Sequence, residues 1–204
     1  STNGVGDPMS LSTKPVAYYK LGEKAAFNGS EYLVTNSASE VFSPYALDFD
    51  GSNDYIDCGN SQLLDLDSSF TISAWIFMTG VVGYDNVFTF KGASKSFALF
   101  ITSANNYSPI SFGILDYPTQ TIKSTGNITF NEWNNITIVY NGNGISNASN
   151  FEFYINNSTQ SLTNSPGFSD AGSVNYIGNY NTNYFSGSIS NVSIWNTALT
   201  DGTG

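Results

Sequence analysis

Short stretches in which side chains alternate between two faces constrain the fold of this chain more than any other feature. The clearest is Phe70-Thr71-Ile72-Ser73-Ala74-Trp75-Ile76-Phe77-Met78, in which every second residue is apolar. Such a period is that of a β-strand, whose successive side chains point to opposite faces. Because the second face also carries Trp75 and Phe77, the stretch predicts a strand in the middle of a covered sheet.

Similar strands recur along the chain and are separated by turn residues. They are predicted at 16–21, 32–34, 86–90, 97–102, 110–115, 133–140, 151–155, 174–177 and 189–195. No segment longer than one turn has the 3.6-residue apolar period of a helix. Many short strands with frequent turn signals are typical of an all-β, two-sheet antiparallel β-sandwich or jelly roll.

Residues 46–59 are predicted to be two short strands joined by a polar turn, Asp50-Gly51-Ser52-Asn53-Asp54. Asp and Asn cap their own backbone amides in such turns, so a tight hairpin is one interpretation. Oxygen-rich loops also suit Ca²⁺, which takes six to eight oxygen ligands. The alternative is therefore one structural calcium ion, the only cofactor expected, with Asp50 and Asp54 as its ligands.

Chain length and composition limit the class of protein. At 204 residues the chain can form one large β domain, which we place at 16–204. Residues 1–15, rich in Gly and Pro, are predicted to be a linker or N-terminal arm. The single cysteine, Cys58, excludes an internal disulfide framework and is interpreted as a small buried apolar residue.

The charge balance argues against several partners. The net charge is −10, all six basic residues are lysines, and histidine and arginine are absent. Nucleic acids and anionic membranes both attract basic residues, so neither is an expected partner. No apolar run approaches the roughly 20 residues of a spanning helix, so membrane insertion is not expected.

The acidic residues do not suggest an enzyme. Retaining glycosidases need two carboxyl groups about 5–5.5 Å apart. The five glutamates are widely separated: Glu23, Glu31, Glu40, Glu132 and Glu152. Without histidine there is also no Ser-His or Cys-His dyad. We expect no catalytic residues.

Tyrosines occur beside Asn and Asp in four predicted loops, which is the chemistry of sugar recognition and also of protein interfaces. A ring can stack on a sugar while an amide or carboxylate binds its hydroxyls. The candidate carbohydrate-binding residues are Tyr84, Asp85, Asn86, Asn105, Tyr107, Asp116, Tyr117, Asn179, Tyr180 and Tyr184. We expect at least two of these loops to converge on one face. The other interpretation is that the rings cover the edges of the sandwich.

Several motifs in order resemble the laminin-G-like domains of the concanavalin A-like lectin/glucanase superfamily. They are the opening strand 16–19, the turn Leu47–Tyr55, the strand Phe70–Trp75, Trp133–Ile136, Phe153–Asn157, Tyr176-Ile177-Gly178, Phe185–Ile189 and the closing Val192–Leu199. The resemblance implies a jelly roll. It also implies a calcium ligand before the closing motif, where this chain has Ser190-Asn191 in place of the acidic pair. This departure puts that ion in doubt.

These observations favour a non-catalytic extracellular binding module that recognises neutral glycans for adhesion in a lectin-like way. The alternative is a structural or protein-interaction module of a cell-surface or phage-type virion protein. In either case the partner would be a glycan or a surface protein, and the chain would be part of a longer or multimeric protein.

Overall fold

The computed structural model describes residues 17–19, 26–27, 32–33, 46–59, 68–81, 83–91, 96–102, 109–114, 120–144, 147–166 and 175–199. Apart from one single-turn 3-10 helix at Ala148–Asn150, the regular elements of these residues are strands. The strands are β1 Ala17–Tyr19, β2 Ala26–Phe27, β3 Tyr32–Leu33, β4 Leu47–Asp50, β5 Ile56–Asp57, β6 Phe70–Phe77, β7 Tyr84–Lys91, β8 Ser96–Thr102, β9 Pro109–Ile114, β10 Gln120–Asn127, β11 Trp133–Tyr140, β12 Phe151–Ile155, β13 Ser158–Thr159, β14 Leu162–Pro166, β15 Tyr176–Ile177, β16 Asn179–Tyr180, β17 Asn183–Tyr184 and β18 Ser186–Trp195.

Most strands belong to two seven-stranded antiparallel sheets. The first sheet has the order β1-β18-β6-β11-β12-β13, with β4 also paired to β18. The second has the order β14-β10-β9-β8-β7-β15-β5. Two further pairs, β2-β3 and β16-β17, form separate two-stranded ribbons. The predicted all-β fold class, a two-sheet antiparallel jelly roll, is confirmed.

The core lies between the sheets and consists of the inward side chains of both. From the first sheet, Phe70, Ile72 and Ile76 of β6 are at most 1% exposed, and from the second, Phe88 and Phe97 are fully buried. These residues belong to one contiguous hydrophobic cluster, which Phe185 and Ile194 join from the end of the chain. The period of two seen in the sequence therefore corresponds to burial against the facing sheet.

The prediction that residues 46–59 form a hairpin is wrong. Both strands exist, but Leu47–Asp50 pairs with β18 in the first sheet, whereas Ile56–Asp57 pairs with β15 in the second. The polar turn thus carries the chain from one sheet to the other. Local alternation predicts that a segment is a strand, but the partner is set by contacts far away in sequence.

Four of the strands that the sequence analysis omitted contribute to the second sheet and to the hairpin beside it. Gln120–Asn127 and Leu162–Pro166 pair with each other at one side of the second sheet, and each is mostly polar. Asn179–Tyr180 and Asn183–Tyr184, expected as loop, form a hairpin with a turn at Asn181, whose φ is 58°. By contrast β11 and β12 have the predicted bounds. The division into a linker at 1–15 and a domain at 16–204 stays a prediction, since 1–16 lies outside the described residues.

Candidate functional site

Two of the four predicted tyrosine loops meet on the outer face of the second sheet. Tyr84, at the start of β7, is 44% exposed, and its ring lies edge-on to Phe100 of β8 with centroids 6.0 Å apart. Tyr180, on the β16-β17 hairpin, packs against the cluster formed by Ala98 and the same Phe100. We call Tyr84, Ala98, Phe100 and Tyr180 the tyrosine patch. It is a partly exposed aromatic surface with a buried apolar floor.

The hairpin is held over β7 by specific hydrogen bonds. Gly178 N donates to Val87 O at 2.9 Å. The Thr89 hydroxyl lies 3.1 Å from the backbone oxygen of Asn179 and 3.3 Å from Asn86 Oδ1, so its single proton is shared between them. Thr89 is fully buried. Because these bonds are shielded from water, the hairpin and its tyrosines have a defined position on the sheet.

Three predicted polar site residues are buried and serve the fold. Asp85 is 3% exposed, and its Oδ1 accepts a hydrogen bond from Ser186 N at 3.0 Å, which joins β7 to the start of β18. Asn86 is 1% exposed and Asn179 is 4% exposed. The three side chains are therefore closed to solvent in this conformation. Asp85 and Asn86 are adjacent in β7, so their side chains point to opposite faces of the sheet. Asp85 is bonded to the start of β18, whereas Asn86 is linked through Thr89 to the β16-β17 hairpin.

The remaining predicted residues are distributed as follows. Tyr184 is half-buried on the hairpin. Asn105, Tyr107, Asp116 and Tyr117 lie outside the described residues. Phe100 was not predicted, although it is the ring that connects Tyr84 with Tyr180. The strand Ser96–Thr102 is apolar on both faces, and such a run does not indicate which of its residues faces outward.

Two further rings form a separate pair at the edge of the second sheet. Tyr55 is 43% exposed, and its ring centroid is 4.8 Å from that of Tyr176. Partial burial, together with the negative charge of Asp57, raises the pKa of the Tyr176 hydroxyl, which stays protonated at neutral pH. Tyr176 is the ladder partner of Thr89, which lies toward the opposite end of β7 from Tyr84.

The carboxylates proposed as calcium ligands bind backbone amides. Asp50 Oδ1 accepts from Ser52 N at 2.8 Å and from Asn53 N at 3.4 Å. Asp54 Oδ2 accepts from Asp50 N at 2.9 Å. Within the described part of the chain, no three His, Cys, Asp or Glu side chains are close enough to hold a metal ion together. These residues form a capped turn, and a calcium ion at Asp50 and Asp54 stays a prediction.

The calcium prediction is tested by melting curves. At 10 mM free calcium, an ion held with a Kd of about 1 mM would raise the free energy of unfolding by about 1.4 kcal/mol relative to EDTA. Asp54→Asn is the matched variant and should lose this rise. Identical curves for the original protein in EDTA and in calcium would contradict the prediction.

Cys58 has the chemistry of a structural residue. It is half-buried and packs against the core, and burial raises the pKa of its thiol from 9.0 to about 12, with the adjacent Asp57 adding to the rise. A thiol with such a pKa is a poor nucleophile at neutral pH.

Among the described residues, no helix is long and apolar enough to cross a membrane.

The fold and its aromatic surface define the class of protein as a lectin-like β-sandwich. Residues 50–203 match the laminin G family described as the concanavalin A-like lectin/glucanases superfamily, and the chain belongs to this family. The predicted resemblance is thereby confirmed. Comparison with curated proteins gave no match.

Several solved structures share this fold at low sequence identity. One is the CBM40 of Ruminococcus gnavus IT-sialidase bound to α2,3 sialyllactose, with a TM-score of 0.55 and 14% identity over 76% of this chain and 91% of that one. Another is domain 4 of AbnA, an extracellular arabinanase from Geobacillus stearothermophilus, in complex with arabinotriose, with a TM-score of 0.56 and 16% identity over 92% of this chain and 94% of that one. The botulinum neurotoxin serotype D binding domain has a TM-score of 0.59 and 14% identity over 96% of this chain and 50% of that one.

Proposed function

We propose that this chain is a non-catalytic, extracellular module that binds neutral glycans through the tyrosine patch. The observation that carries the proposal is the convergence of Tyr84 and Tyr180 on Phe100, on the outer face of a sheet. Aromatic rings held rigidly at a surface offer a flat apolar face to a sugar ring at little cost in conformational entropy. The same fold holds saccharides in the R. gnavus and G. stearothermophilus proteins.

Two buried polar atoms near these rings support the proposal. Thr102 Oγ1, opposite Tyr84 in the ladder, has no hydrogen-bond partner among the described residues, and neither has Asn179 Oδ1. Each unpaired buried polar group costs about 1–3 kcal/mol. A small rearrangement that brought either atom to a sugar hydroxyl would recover part of that cost.

Charge favours neutral over anionic glycans. The chain has a net charge of −10 and no arginine. On β7 the only lysine, Lys91, is at the opposite end of the strand from Tyr84. A carboxylate-bearing sugar would therefore meet repulsion from the protein as a whole and no basic partner on this strand. The proposed ligand class is uncharged hexose or pentose oligomers.

Replacing Tyr84 with alanine should weaken binding of a neutral oligosaccharide at the tyrosine patch at least tenfold, because the ring supplies the face on which the sugar stacks. The original patch is an open site and is expected to bind with a Kd of about 1 mM, or about −4 kcal/mol. Tyr84→Phe keeps the ring and should bind nearly as well as the original protein. Tyr55→Ala removes an equally exposed ring outside the patch and is the matched control. Glycan-array screening followed by titration measures the effect.

A different result would contradict this assignment. If Tyr84→Ala and Tyr55→Ala bind alike, the tyrosine patch is not the site. If the patch instead binds a protein and no saccharide, the chain is an interaction module of a surface protein.

The purified protein should release no reducing sugar from laminarin or other neutral glycans. Of the glutamates that the structure describes, Glu152 accepts a hydrogen bond from Tyr154 OH at 2.5 Å, and Glu132 is exposed in the turn before β11. Neither arrangement is that of an acid and nucleophile pair. A reducing-sugar assay checks this, and release that Glu152→Gln abolishes would overturn the non-catalytic assignment.

A further inference from the structure

The outer face of the first sheet carries a second group of aromatic rings. Side chains alternate along β6, so that Ile72 and Ile76 enter the core while Trp75 and Phe77 face outward and are half-buried. Phe77 pairs with Trp133 of β11, and the two ring centroids are 5.8 Å apart. Trp133 is 40% exposed, an unusual position for a tryptophan, which is highly buried on average.

Uncharged polar groups lie directly beside these rings. Asn135 is the ladder partner of Trp75, and Thr137 is the partner of Ser73. Asn135 Nδ2 donates to Ser73 Oγ at 3.2 Å, and the Thr137 hydroxyl lies 3.1 Å from Ser73 Oγ and 3.3 Å from Asn135 Oδ1. These hydrogen bonds fix three partly exposed side chains, so that an amide and two hydroxyls are preorganised next to the rings.

The other end of this face is closed by the chain itself. Thr71 is 1% exposed, its hydroxyl donates to Thr197 O at 2.9 Å, and it accepts from Leu199 N at 2.9 Å. Trp195, its ladder partner, is 3% exposed. The segment 196–199 therefore covers this end, while the end with Trp75, Phe77 and Trp133 is partly open.

The charges around the open end select the ligand class. The charged side chains that β4 and β12 place on this face are carboxylates: Asp48, which accepts a hydrogen bond from Ser188, Asp50, and Glu152, which accepts one from Tyr154. Anionic polymers and anionic sugars would be repelled. Rings interleaved with neutral amide and hydroxyl groups suit a ligand that is apolar on one face and rich in hydroxyls at its edge.

We propose that Trp133, Phe77, Trp75, Asn135 and Thr137 form a second saccharide-binding surface, which we call the tryptophan face. A neutral oligosaccharide lies across β6 and β11, with one sugar ring stacked on Trp133 and its hydroxyls bonded to Asn135 and Thr137. This inference rests on the proposed function as a glycan-binding module. Because the tyrosine patch is on the other sheet, the module is bivalent and binds a multivalent glycan surface more tightly than either site alone.

Titration of single-site variants with neutral oligosaccharides tests the proposal. The probes are hexamers of β-glucan, α-glucan, arabinan and mannan, with stoichiometry and tryptophan fluorescence as readouts. The original protein is expected to bind two oligosaccharides, with a fluorescence change. Trp133→Ala should bind one oligosaccharide and lose most of the fluorescence change, whereas Trp133→Phe should still bind two oligosaccharides. Glu132→Gln, next to Trp133 and exposed, is the matched control.

The variants separate failure of this inference from failure of the proposed function. Tyr84→Ala should keep the fluorescence change, which reports on the tryptophan face, and should lose binding at the tyrosine patch. If Trp133→Ala keeps the original stoichiometry and fluorescence change, the proposal that the tryptophan face binds saccharide is overturned. The proposed function would still hold in that case if Tyr84→Ala loses oligosaccharide binding. If the original protein binds none of the probes, the proposed function fails. Self-association that Trp133→Ala abolishes, without saccharide binding, would overturn the inference in favour of a protein interface.

Discussion

Replacing Gly187 with alanine is expected to lower the free energy of unfolding by at least about 3 kcal/mol. The φ of Gly187 is 141°, a value that L side chains rarely adopt. An alanine Cβ there would lie 2.2 Å from Phe77 O and 3.3 Å from Met78 Cα. Both are backbone atoms at the end of the central strand β6, so relief of the contact would require moving the strand that carries Phe77.

The measurement is a pair of melting curves. For a chain of this length a loss of 3 kcal/mol corresponds to a melting temperature about 6–12 °C lower. Gly80→Ala is the matched control, since a Cβ at that position meets nothing within 4 Å. It should change stability by less than about 0.5 kcal/mol. Equal melting temperatures for the two variants would contradict a close approach of β18 to β6 at Gly187.

The strands that the sequence predicted best are those whose side chains are buried on one face. In β12 every second residue is buried, and β11 alternates in the same way up to Ile138, so the pattern in the sequence is the pattern of contact with the core. β10 could not be recognised in this way, because Ile122 is its only large apolar residue. Its place in the sheet comes from backbone pairing with β9 and β14, which side-chain pattern does not encode.

The candidate site was predicted only in part for the same reason. Composition identified Tyr84 and Tyr180, since aromatic residues beside Asn and Asp stand out in polar segments. Phe100 and Trp75 lie in strands that are apolar on both faces, and the sequence does not distinguish a face covered by another sheet from a partly open one. Which face is open follows only from the sheet order. Both aromatic surfaces are therefore properties of the assembled sandwich.

Replacing Asn134 with alanine is expected to cost about 2–3 kcal/mol, because four hydrogen bonds depend on its side chain. Its Nδ2 donates to Thr129 O at 2.8 Å and to Glu132 O at 3.0 Å, and its Oδ1 accepts from Thr129 N at 3.1 Å and from Asn156 Nδ2 at 3.3 Å. The side chain is fully buried. It fastens the turn before β11 to the sheet, and that turn leads directly into Trp133.

Urea unfolding of Asn134→Ala and Asn143→Ala tests this role. Asn143 is an exposed asparagine of another turn, and its replacement should change stability by less than about 0.5 kcal/mol. Asn134→Asp keeps the acceptor oxygen but loses both donated bonds and buries a charge, so it should be no more stable than Asn134→Ala.

Because Trp133 is displaced with the turn, oligosaccharide binding at the tryptophan face should weaken in Asn134→Ala while binding at the tyrosine patch persists. Equal loss at both sites would mean that the variant disturbs the whole sandwich, and the turn would then have no separate role in positioning Trp133.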